Sequence, residues 1–133
     1  MHLSTKIFVL LAGLLHVVFF AMESLFFMNE QIYTRFRFET LAEAEVVQGF
    51  AYNQGWYNLF LAIAAFAGVL MAKKLKPNVG NTLAMYACLS MLGAALVLIT
   101  SSIEMARAAT IQGFFPLLAI ATFFMLKPSK TQN

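Results

Sequence analysis

Two ionisable side chains, His16 and Glu23, sit inside an apolar run near the start of the chain. Seven residues separate them, so on a helix turning 100° per residue they share a face, about 10 Å apart along the axis. A carboxyl and an imidazole on one face could act as acid and base, or pass a proton through a water. A second polar group is the block Asn53-Gln54-Gly55-Trp56-Tyr57-Asn58. Asn53, Gln54, Tyr57 and Asn58 fall on one broad helical face and could hydrogen-bond a ligand or a neighbouring helix. Glu104 and Arg107, three residues apart, could pair or orient a polar head, and Gln112 opens the last apolar run.

The elements that must position these groups are membrane spans. Hydrophobic residues make up 61% of the 133 residues and charged residues 11%, against about 45–50% and about 25% in soluble domains. That excludes a water-soluble domain, a disordered chain and a disulfide scaffold, since Cys88 is alone. A span needs about 20 mostly apolar residues. Four stretches meet or approach this, at about 7–28, 50–72, 83–103 and 108–126, and leave no room for a soluble domain. The expected architecture is all-α: one integral membrane domain over 1–133, a four-helix transmembrane bundle. The first run is longer than the apolar core of a signal peptide and has no clear cleavage site after it, so it is expected to stay as a span.

Local signals punctuate the spans. Thr40-Leu-Ala-Glu43 reads as a capping box, starting the second helix near Leu41. The stretch from Lys73 to Gly80 reads as a break, with Asn81 as the N-cap of the third helix. Pro116 predicts a kink in the fourth helix, and Pro128 follows its end. On the second helix Leu61, Ala64, Ala65, Gly68 and Ala72 continue the polar face inward, with Leu59, Ile63, Phe66 and Leu70 toward lipid. On the third, Ser90, Gly93, Val97, Ser101 and Glu104 form the expected inward face. Tyr33, Phe36 and Phe38, interleaved with Arg35 and Arg37, read as an interfacial belt.

Lys6, Lys73, Lys74, Lys76, Lys127 and Lys130 fall on one side of the spans, and Arg35, Arg37 and Arg107 on the other. This bias predicts both termini in the cytoplasm, in a bacterial cytoplasmic (inner) membrane. It fits membrane topology rather than nucleic-acid binding. Lipid leaves stranded polar groups unsatisfied, so Glu23, Asn53, Gln54, Tyr57, Asn58, Glu104, Arg107 and Gln112 are expected around one pocket in the outer half of the bundle, with His16 beneath.

His16 and Glu23, the Asn53-Gln54-Gly55-x-Tyr57-Asn58 block, and Gln112-Gly113 followed by Pro116 resemble a family of small bacterial integral membrane proteins catalogued as domain of unknown function 1304. The resemblance covers nearly the whole chain. It implies a four-helix membrane protein and no established activity.

Three readings stay open. In the first, the pocket binds or converts a small amphipathic or lipid-like molecule. Glu23 and His16 are then the catalytic candidates, and Asn53, Gln54, Tyr57, Asn58, Glu104, Arg107 and Gln112 the ligand contacts. In the second, the chain is a small proton-coupled transporter, which needs polar access from both sides. In the third, it is an accessory protein whose amides join helices and whose Glu23 pairs with Arg107. One intramembrane histidine among scattered carboxylates lacks metal-ligand spacing, so no metal and no cofactor are expected. The partners are the bilayer and the small ligand, with no nucleic acid; oligomeric state is not legible.

Overall fold

The computed structural model describes residues 1–126; Lys127, Pro128 and Lys130 lie outside them. The described residues are helical with short connections and contain no strand. Helix α1 spans Leu3–Phe20 and runs into a π-helical turn at Ala21–Leu25. A short helix α2 spans Glu30–Tyr33, followed by a 3-10 turn at Thr34–Phe36. Three long helices follow: α3 (Leu41–Lys74), α4 (Pro77–Ser101) and α5 (Ala106–Met125). The four long helices are long and apolar enough to cross a membrane. They run up, down, up and down, and pack as a ring: α1 on α3, α3 on α4, α4 on α5, and α5 back on α1.

Small residues make the seams close, as expected where packing rather than the hydrophobic effect joins helices. A Cβ on Gly68 would lie 2.8 Å from Ala84 Cα, and one on Gly80 would meet the backbone of Ala72 and lie 2.6 Å from the Gly68 carbonyl oxygen. Gly113 of α5 sits against Ala95 of α4. Phe66 lies over Gly13, where a Cβ would come within 2.6 Å of the ring. Phe66 therefore fills the α1–α3 seam instead of facing lipid. The α1–α5 seam is closed near the chain ends by a hydrogen bond from Thr5 Oγ1 to Thr122 Oγ1, 3.1 Å. Between these seams lies an apolar core that includes Val9, Ala65, Met85, Cys88 and Met91.

Helix boundaries follow capping chemistry in one case and depart from it in another. Thr40 Oγ1 accepts from Glu43 N–H at 3.3 Å while the Glu43 carboxylate accepts from Thr40 N–H at 3.4 Å, the expected capping box. Thr40→Ala should cost about 1 kcal/mol, read as faster amide exchange in the first turn of α3. Asn81 is not an N-cap. Proline 77 occupies the first turn of α4, where its missing N–H costs nothing, and Asn81 lies a turn inside the helix. The break between α3 and α4 shrinks to Leu75 and Lys76. Helix α5 continues through Pro116, which is buried.

The inward face of α4 is also not the expected one. Gly80, Ala84, Ala87, Cys88, Met91 and Ala95 are buried, whereas Val97 is 67% exposed and Gly93 has open space where a Cβ would stand. At 34 residues, α3 is about 51 Å long and outruns about 30 Å of hydrocarbon. Its first turns are covered by the 26–38 connection. Phe27, Tyr33 and Ala44 are buried there, and Phe36, Phe38 and Val47 pack around them. Tyr33, Phe36 and Phe38 thus help build a second, small core.

Candidate functional site

The π turn sets the geometry. Phe26 N–H bonds to the Ala21 carbonyl, five residues back, at 3.0 Å. Such wider turns inside α-helices are frequent at functional sites. This one brings Glu23 and Ser24 against α3 at Gly55. A Cβ on Gly55 would collide with Ser24 Oγ and come within 3.1 Å of Glu23 Cβ. Glycine is required for that approach. Ser24 Oγ donates to the Tyr52 carbonyl at 2.8 Å, and Phe20 meets Trp56 edge-to-face with centroids 5.1 Å apart.

Asn58, one turn below Gly55, is buried, and its Nδ2 donates to Glu23 Oε2 at 2.7 Å. This is a short contact for an amide donor on a carboxyl oxygen. Glu23 itself is half-buried. Its outer edge lines a groove of about 390 Å³ with Asn53 and Gln54 on one side and Phe27, Phe36 and Phe38 on the other. The groove therefore combines hydrogen-bonding groups with aromatic side chains from both α3 (Phe50) and the 26–38 connection.

His16 is fully buried deeper along α1. Its Nδ1 lies 2.9 Å from the Ala12 carbonyl. A carbonyl only accepts, so Nδ1 carries the proton, leaving Nε2 of the neutral ring as an acceptor. Nε2 has no protein partner, and Phe19 meets the ring edge-on at 5.5 Å. Because Gly55 meets Ser24 and Phe66 meets Gly13 across the same antiparallel seam, Asn58 stands between the levels of Glu23 and His16. An unpaired buried acceptor costs about 1–3 kcal/mol. His16→Leu should therefore hold or raise the unfolding midpoint. A loss of stability of more than about 1 kcal/mol would contradict that expectation.

The remaining candidates do not join this group. Glu104 and Arg107 line a different groove, of about 450 Å³, on the α5 side of α1, together with Leu15, Phe19, Arg35 and Arg37. Glu104 is held through its backbone: Arg37 donates from Nη2 to the Glu104 carbonyl at 3.3 Å. Tyr57 is 57% exposed. Gln112 is half-buried on α5 and lines neither groove. The polar residues thus gather at one end of the bundle but divide to either side of α1. Phe27, Phe36 and Phe38 were missed as groove residues, because no periodic signal in the 26–38 connection says that it folds back on α3. Among the described residues no group of three or more His, Cys, Asp or Glu side chains could hold a metal ion.

A chain whose four long apolar helices pack side by side, with a carboxyl–amide pair between two of them, is an integral membrane protein. It belongs to the family described as protein of unknown function (DUF1304), which matches residues 10–124. No curated protein and no solved structure matches the chain.

Proposed function

We propose that this protein binds a small amphipathic molecule in the groove between the π turn and α3, with Glu23 as the group that meets its polar head. The observation that carries the reading is the Asn58–Glu23 hydrogen bond beside an aromatic-walled groove. Asn58 holds one carboxyl oxygen of Glu23, and the other is left to accept from, or donate to, a ligand hydroxyl or amine. Asn53 and Gln54 supply further hydrogen bonds, and the Phe27, Phe36 and Phe38 rings take the apolar part. An intramembrane carboxyl costs at least about 2.5 kcal/mol to insert, which favours a working role over an ornamental one. Where a bound molecule has an acidic or basic centre, Glu23 is the acid or base, and His16 lies beneath as a secondary proton carrier. Apart from the Thr5–Thr122 pair, the core toward the chain ends is lined by apolar side chains, which favours binding from one side over passage through the bundle.

The lysine bias supports a bacterial cytoplasmic membrane with both termini inside: Lys6, Lys73, Lys74 and Lys76 gather at the opposite end from Arg35, Arg37 and Arg107. The groove then faces the outer leaflet. A phosphatase reporter that works only outside the cytoplasm should be inactive at the C-terminus and active when inserted after Asn29.

The ligand test is the profile of amphiphiles that co-purify with the folded protein. Glu23→Gln should deplete one or a few species by about tenfold, the loss of one good hydrogen bond to a charged group. Identical profiles for the parent and for folded Glu23→Gln and Asn58→Leu variants would refute the reading.

A further inference from the structure

We propose that the second groove, between α1 and α5, is a docking site for an anionic phospholipid, with its phosphate on three arginines. Arg35, Arg37 and Arg107 all line this groove, and the only acidic side chain lining it is Glu104, so its charge is three guanidiniums against one carboxylate. Thr34 adds a hydroxyl. The arginines come from two separate segments, the 34–37 turn and the first turn of α5. Arg37 has a left-handed backbone, φ 70°, and its Nη2 donates to the Glu104 carbonyl just before α5. Arg35 is anchored through Nε to the Gln31 carbonyl at 3.0 Å. Each guanidinium has five N–H donors in a planar fork suited to phosphate oxygens. One anchoring bond therefore positions the fork and leaves most donors for a ligand.

The rest of the groove suits an acyl chain. Leu15, Val18 and Phe19 of α1 face Ala108 and Ile111 of α5 below the arginines. The wall therefore runs from charged to apolar down the span, the profile of a lipid head and tail. A free phosphate would use the guanidiniums and none of that wall. Basic pockets between spans on the cytoplasmic side bind anionic head groups, and the guanidiniums of this groove offer the same chemistry at the outer end. The site is separate from the Glu23 groove, with which it shares no lining residue.

The test is thermal unfolding of the full chain in zwitterionic micelles doped with phosphatidylglycerol or, at equal mole fraction, phosphatidylcholine. A ligand that binds only the folded state raises the midpoint. Phosphatidylglycerol should raise it by several degrees more than phosphatidylcholine. Arg107→Gln should at least halve that difference, and Arg35→Gln with Arg107→Gln should remove it. Lys73→Gln and Lys74→Gln at the opposite end should leave it intact. The proposal is overturned by equal shifts for the two lipids, by an undiminished shift in Arg107→Gln, by an equal loss in the lysine variants, or by inorganic phosphate alone reproducing the shift.

Discussion

Gly80→Leu is expected to prevent normal assembly of the bundle, and Gly68→Leu to come close to doing so. At both sites the added side chain meets backbone of the neighbouring helix, Ala72 and Gly68 in one case and Ala84 in the other. Backbone cannot swing aside as a side chain can, so α3 and α4 must separate. Overpacking typically costs about 1–3 kcal/mol and occasionally more; these two should lie at or above the top of that range. Gly93→Leu is the informative contrast. It sits on the same helix as Gly80 with open space around it. There leucine should be neutral or gain up to about 1 kcal/mol of helix propensity. Denaturant titration in mixed micelles reads all three. Equal losses at Gly80 and Gly93 would mean that the α3–α4 seam is misplaced.

Among the three amides of the second span, Asn58→Leu should stand apart. Asn58 is buried and holds Glu23, so its removal leaves a half-buried carboxyl without its partner, at about 1–3 kcal/mol. Asn53 and Gln54 are exposed beside the groove; Asn53→Leu and Gln54→Leu should stay within about 0.5 kcal/mol of the parent. The same unfolding measurement separates the cases. Comparable losses at all three would make the whole block helix–helix glue.

These contrasts also show where pattern reading ran out. The capping box at Thr40 and the number of spans were legible, because caps and span length are local properties. Of the polar block, Asn58 meets Glu23, and Asn53 and Gln54 line the groove beside it. Faces were harder. In lipid both sides of a helix are apolar, so Ser90, Gly93 and Val97 looked like a seam although Ala84, Cys88 and Met91 form it. Gly80 looked like a helix breaker and is a packing contact. The π turn at Ala21–Leu25 has no composition signal; its contacts, Ser24 with the Tyr52 carbonyl and with Gly55, come from α3, far along the chain. For the same reason Glu104 and Arg107 could not be told from the Glu23 group: they share its level, and only the position of α1 between them divides the two grooves.

The most direct measurement is a double-mutant cycle on Glu23→Gln and Asn58→Leu, read as unfolding free energy in mixed micelles. Coupling of about 0.6–1.7 kcal/mol, the range for hydrogen bonds between membrane helices, is the predicted result, with no coupling between Glu23→Gln and Arg107→Gln. Strict additivity of Glu23 with Asn58, or coupling of Glu23 to Arg107 instead, would contradict the account.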